Sequence, residues 1–268
     1  MDSPTVCGAL VSPEDNDNIF EEIACGASDG KFKKMPLYYD MRKWANSSRD
    51  QGDRATCAAF AAANIKEIHE SISKNSRTPP MSPEFIYQHR HNKPIEGMYG
   101  RNVFQILKEI GTVSEDLYPY GTTEPPSEVA MRIASNHKIA NFTKVTTSHG
   151  LKRALLELGP CYMQLQLVDS SKIEFWRGKP ENSMAGHAVT VLGFMSDGFI
   201  IQNSWGEKWN GDGYAILPYG DWNCVKECWA CIDTRAEKRM DTSRMKLKSD
   251  ELTPPIIIHQ SRKTCTIL

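Results

Sequence analysis

The sequence predicts an α+β chain of two lobes, a helical lobe followed by a β-rich one. Apolar residues recur at helical spacing through the first half of the chain. The second half alternates in short β-rich runs. Between the two textures lies the loop "YPYGTTEPPS", which marks a lobe boundary near residue 125. With 268 residues, 40% of them hydrophobic and 24% charged, the chain has the composition and length for a sizeable core.

Residues 1–35 read as an irregular leader rich in Gly, Ser and acidic residues, with one helical turn at "NIFEEI". Residues 36–125 form the helical lobe. In "CAAFAAANIKEIHESISK" the residues Phe60, Ala61, Ile65, Ile68 and Ile72 share one helix face. The Pro-rich "TPPMSPEFIY" enters a second helix with Ser82 as N-cap. "NVFQILKEIG" is a third helix, closed by Gly111. Residues 126–235 form the β lobe, with strands at "CYMQLQLV", "HAVTVLGF" and "FIIQNSW". The turn "MSDG" joins the last two as a hairpin. Residues 236–268 read as an extended tail.

Composition excludes several functions. The net charge of −1 implies no polyanion partner, and no zinc-finger pair, P-loop or aromatic-basic RNA signature is present, so nucleic acid is not expected. The N-terminus has no basic start and no long apolar stretch, and no run approaches the roughly 18 apolar residues of a membrane helix. The expected location is therefore cytoplasmic, and the sequons at Asn46 and Asn141 are expected to be unused.

The hairpin carries the chemistry. A reversal near Asp197 brings residues 203–206 opposite residues 187–190, making His187 and Asn203 neighbours. Cys57 starts an Ala-rich helix, where the helix dipole favours a thiolate. His187 lies 130 residues after Cys57 and Asn203 lies 146 after it. Papain-type enzymes place the two about 130–150 residues downstream of the cysteine.

The pieces "DMRKW", "RDQGDRATCAAFAAA", "MSPEFIY", "GHAVTVLGF" and "IIQNSWGEKWNGDGYAIL" occur in one order across residues 38–235. In these the chain resembles a papain-like (clan CA, family C1) cysteine peptidase. The resemblance implies a papain-like two-lobed fold with the cleft between a helical lobe and a β-barrel-like lobe. It implies that Cys57 is the nucleophile, that His187 holds it as a thiolate and protonates the leaving amine, and that Asn203 orients the imidazole. Gln51 corresponds to the side-chain donor of the oxyanion hole, and Trp205 to the tryptophan that shields the His–Asn bond. Gly100, Gly186 and Trp205 are carried over as substrate-binding positions. The implied activity is peptide-bond hydrolysis by a monomer, without cofactor or metal, on a protein or peptide substrate. Isopeptide cleavage or acyl transfer on a modifier protein, and a degenerate binding module, are the alternatives.

The chain also departs from the secreted members. Arg54 stands where they carry a disulfide cysteine, and no cysteine lies between Cys57 and Cys161, so the helical lobe holds no internal disulfide. This fits a reducing compartment and resembles cytosolic-type members known from bacteria and viruses, including an effector working in a host cell. Ala55 replaces a usual glycine and Ala58 a tryptophan. The leader is too short for the long helical propeptide of lysosomal members.

Two further cysteine patterns stand outside that site. Cys224, Cys228 and Cys231 have the C-x3-C-x2-C spacing of cluster sites. The resemblance instead places them in or beside a late strand, as buried thiols. The C-terminal Cys265-Thr-Ile-Leu fits a prenylation signal, which implies reversible membrane association.

Overall fold

The fold is organised around one helix. The computed structural model describes residues 8–13, 35–179 and 185–234. The helical turn expected at 18–23, the tail beyond 234 and Cys265 lie outside these. Helix α1, Cys57–Lys74, is buried without a break from Cys57 to Ser71. The expected amphipathic helix with one apolar face is thus replaced by a helix enclosed on all sides. Ala58, Ala59, Ala61, Ala62 and Ala63 make this feasible, because their short side chains let neighbouring backbones approach closely. The helix ends at Asn75, which adopts the left-handed conformation with φ of 53°.

On one side, α1 packs with α2 (Pro83–Gln88) and α3 (Gly100–Glu109). Ser82 caps α2 as expected, its hydroxyl accepting the Phe85 N–H at 3.0 Å. Helix α4, Glu128–Ala134, joins this lobe: Ala130 and Ala134 share a core cluster with Phe85, Val113 and Tyr118. Residues 128–134 therefore pack with the helical lobe, on the far side of the boundary expected near 125. The leader supplies β1 (Ala9–Leu10), followed by β2 (Tyr39–Asp40) and β3 (Met98–Tyr99).

On the other side lies the β lobe, containing β4 (Ile139–Lys144), helix α5 (Ser148–Glu157), β5 (Cys161–Leu167), β6 (Ala185–Phe194), β7 (Gly198–Gln202), β8 (Tyr214–Pro218) and β9 (Val225–Asp233). The backbone of the sheet runs β3-β1-β6-β5-β9-β4, with β2 and β7 also on β6 and β8 on β7. β6 and β7 form the expected hairpin, with Thr190 opposite Gln202 and a bulge between Val191 and Gly193. In place of the irregular leader expected here, β1 pairs in parallel with β3 and antiparallel with β6. It thereby joins the two lobes into one sheet.

Cys228 and Cys231 belong to different core clusters. Their odd spacing on β9 puts them on opposite faces, so they do not converge. Cys57, Cys161, Cys224, Cys228 and Cys231 are free thiols, and among the described residues no group of His, Cys, Asp and Glu is arranged to hold a metal ion. No helix among the described residues is long and apolar enough to cross a membrane.

Charges buried in α1 lock it to both flanks. The Lys66 ammonium meets Glu70 at 3.0 Å and also pairs with Asp233 at the end of β9. Burial works against the Glu70 carboxylate, but its hydrogen bond to His137 and the Lys66 charge hold its pKa down at about 2. Removing Lys66 strands two buried carboxylates. Lys66→Ala is expected to cost about 3–5 kcal/mol in urea unfolding. A loss under about 1 kcal/mol, the size of a surface pair, would show that the cluster is solvated.

Candidate active site

Cys57 is the first residue of α1. Its N-cap, Thr56, makes no side-chain capping bond, because its hydroxyl pairs with the Tyr120 hydroxyl at 2.7 Å. The N–H groups at the helix start are therefore not consumed by a cap and are available to a negative sulfur or oxygen. The N–H groups of Ala188, Gly8, Ala58 and Cys57 itself all favour the thiolate.

His187 and Asn203 come from the β6–β7 hairpin. His187 Nε2 lies 2.7 Å from Asn203 Oδ1, and the same oxygen accepts the Ser204 N–H at 2.8 Å. Two donors on one atom fix the amide orientation and make Nε2 the protonated nitrogen of the neutral ring. Among the described residues Nδ1 has no hydrogen-bond partner, so it is the basic nitrogen. Asn203 is itself anchored: its N–H donates to Gly213 O at 2.9 Å, and its carbonyl accepts from the Ser48 hydroxyl at 2.7 Å.

Trp205 lies over the imidazole at a centroid distance of 4.6 Å. Phe175 meets the same ring edge-on at 5.5 Å and touches Trp205 and Trp209. Sequence reading found Trp205 but missed Phe175 and Trp209. The run "KIEFW" holds the only signal, two adjacent aromatics in an otherwise polar loop.

Gln51 is fully buried and tied to the same hairpin end. Its Oε1 accepts the Ser204 hydroxyl at 2.6 Å, its N–H donates to Ser204 O at 2.9 Å, and its Nε2 donates to Arg54 O at 2.8 Å. Arg54, standing where a disulfide cysteine is expected in secreted relatives, forms a two-pronged ion pair with Glu84 of α2 and lies over the Tyr120 ring at 4.7 Å. An ion pair therefore ties this loop to α2.

The cleft is filled by the chain's own leader. The Gly8 N–H donates to Cys57 Sγ at 3.3 Å, and the Gly8 carbonyl accepts from Met98 N at 2.7 Å. Ala9 stands opposite both Met98 and Gly186, and its carbonyl accepts from Gln164 Nε2 at 3.0 Å. The Ser12 hydroxyl accepts the Arg101 N–H at 2.9 Å. Glycine is required at two of these positions. A Cβ on Gly8 would lie 1.9 Å from Ala55 O, and one on Gly186 would lie 2.3 Å from Ala9 O. Gly186 thus lies in the channel. The strand that hydrogen-bonds the leader is Met98–Tyr99, whereas Gly100 opens α3 and leaves room for the side chains of Glu227, Trp229 and Tyr162.

Beneath this cover Cys57 and His187 are both wholly inaccessible. Burial pushes the Cys57 thiol up, against the four N–H groups that favour its thiolate. Burial also pushes His187 down to about 4, with the Asn203 bond opposing. The lowered thiol pKa expected from the sequence is thus absent from the closed form, because desolvation outweighs the helix start.

The chain matches the family described as "Papain family cysteine protease" over residues 35–232. It is 29% identical to cathepsin K of Mus musculus over 198 residues, 69% of this chain and 60% of that protein. A peptidase C1-like protein of Acanthamoeba polyphaga mimivirus is 30% identical over 226 residues, 71% of this chain and 73% of that one. Among solved structures, xylellain, a cysteine protease from Xylella fastidiosa, superposes with a TM-score of 0.72 at 21% identity, covering 87% of this chain and 98% of its own. Digestive procathepsin L 3 of Tenebrio molitor has a TM-score of 0.62 at 17% identity, covering 75% of this chain and 71% of its own. The chain belongs to the papain family of cysteine proteases.

Proposed function

We propose that this chain is a cysteine peptidase, with Cys57 as nucleophile, His187 as acid and base and Asn203 as the group that orients the ring, and that residues 8–13 hold it closed. The observation that supports this most is the His187–Asn203 bond, which leaves Nδ1 basic on the strand beside Cys57. In the open cleft the Cys57 proton passes to Nδ1, and the thiolate adds to the substrate carbonyl carbon. The oxyanion is met by N–H groups at the start of α1 and by the Gln51 amide. His187 then gives its proton to the leaving amine, leaving a thioester. Water, deprotonated by His187, attacks the thioester and restores the thiol. Trp205 and Phe175 exclude water from the His187–Asn203 bond, which strengthens it.

The leader presents an N–H to the sulfur, and its Gly8 carbonyl is turned to Met98. That carbonyl is therefore engaged by main chain of the helical lobe.

Cys57→Ala should abolish hydrolysis of peptide substrates. Gln51→Ala should lower kcat by roughly 10²–10³, the cost of one oxyanion donor. Full activity in Cys57→Ala would sink the reading.

Gly8→Val inserts a side chain where Ala55 O already stands, so the closed form should lose population. Alkylation of Cys57 by an epoxide, mapped by peptide mass, should speed up on the order of tenfold, for a shift near 1.4 kcal/mol. An unchanged rate would show that the leader does not govern access.

A further inference from the structure

Most buried charges in this chain sit beside an opposite charge: Lys66 with Glu70, Glu67 with Arg49, Glu84 with Arg54. Glu227 does not. It lies on β9, is only 2% exposed, and among the described residues no cation reaches ion-pair distance of its carboxylate. Among the described residues its Oε1 has no hydrogen-bond partner. Its Oε2 meets the Ser12 N–H at a long 3.4 Å.

The surroundings of Glu227 point the same way. Gln164 stands opposite it on β5, and among the described residues the Gln164 Oε1 and the buried Tyr162 hydroxyl also lack partners. Gly100 leaves the space beside these groups open, since a Cβ there would lie 2.8 Å from Glu227 Oε2 and 3.1 Å from the Tyr162 ring. The recess is roofed by the leader, through the Gln164 bond to Ala9 and the Glu227 contact with Ser12. It lies on the side of Cys57 that Ala9–Ser12 follow. The roof itself, "GALVSP" at residues 8–13, carries no cation. A carboxylate buried without a counter-charge is costly to fold, and a cationic ligand removes that cost.

We propose that Glu227 is a specificity-determining residue that selects peptides carrying a basic side chain close to the scissile bond, on the side of Cys57 occupied by Ala9–Ser12. Arginine suits the recess better than lysine. Its planar guanidinium donates in fixed directions to several acceptors at once, here Glu227 Oε1 and Gln164 Oε1. The inference rests on the peptidase reading above, and it names the substrate class for that site.

The test uses the full chain and fluorescence-quenched peptides that differ at one residue: arginine, its neutral isostere citrulline, or leucine. That residue is placed in turn at each of the three positions on either side of the scissile bond. The fraction of chains with an open cleft multiplies every kcat/KM equally, so ratios between peptides report the open site. The wild-type chain should prefer arginine over citrulline by roughly 10- to 100-fold at one position, as expected for a desolvated charge-assisted bond. Glu227→Gln should bring that ratio close to one, and Glu227→Asp, which keeps the charge, should retain a preference. Equal cleavage of the arginine and citrulline peptides at every position by wild type overturns the inference. So does a ratio that survives in Glu227→Gln. Cleavage of the leucine peptides without an arginine preference defeats this inference alone. If wild type cuts no peptide, the peptidase reading falls and takes this one with it.

Discussion

The site depends on the enclosure of helix α1. A helix buried from Cys57 to Ser71 has no solvent face, so every polar group on it needs a protein partner. Lys66, Glu67 and Glu70 find theirs in Asp233, Arg49 and His137. These pairs tie the helix to β9, to the loop that carries Gln51 and to the segment before β4. The sulfur at the N-terminus of α1 inherits that rigidity. The same enclosure explains the alanine run, because any larger side chain would push the lobes apart.

The second half of the site is held by main chain. Gln51 N donates to Ser204 O, Gly206 N donates to Arg49 O, and Asp50 bridges Trp205. The loop bearing Gln51 is thereby laced to the end of the His187–Asn203 hairpin. Ser204 serves both sides, with its N–H on Asn203 and its hydroxyl on Gln51. His187, Asn203, Ser204 and Gln51 thus form one hydrogen-bonded unit, roofed by Phe175, Trp205 and Trp209. Such a unit is expected to respond non-additively to mutation.

The leader turns this assembly into a closed one by elementary means. A short strand satisfies the exposed edges of β3 and β6, which would otherwise display unpaired main-chain groups. Covering the cleft then disfavours charge on both Cys57 and His187. Occlusion and electrostatic quieting are two consequences of one strand. The leader is held there by the Met98 main chain and by the Gln164 side-chain amide.

Sequence alone determined the local elements and singled out the candidate site residues. The helix from Cys57, the Ser82 cap, and the hairpin about Asp197 are set by short-range spacing and turn chemistry, and the chain follows them. Because the hairpin is local, His187 and Asn203 were legible as a pair. The tertiary structure decided what depends on contacts distant in sequence. Residues 8–12 meet partners about 50 to 215 residues away, and no local pattern marks "GALVSP" as a strand. Phe175 and Glu227 acquire their roles only from what packs against them. The pKa directions at Cys57 and His187 were likewise out of reach, because burial sets them and burial belongs to the folded chain.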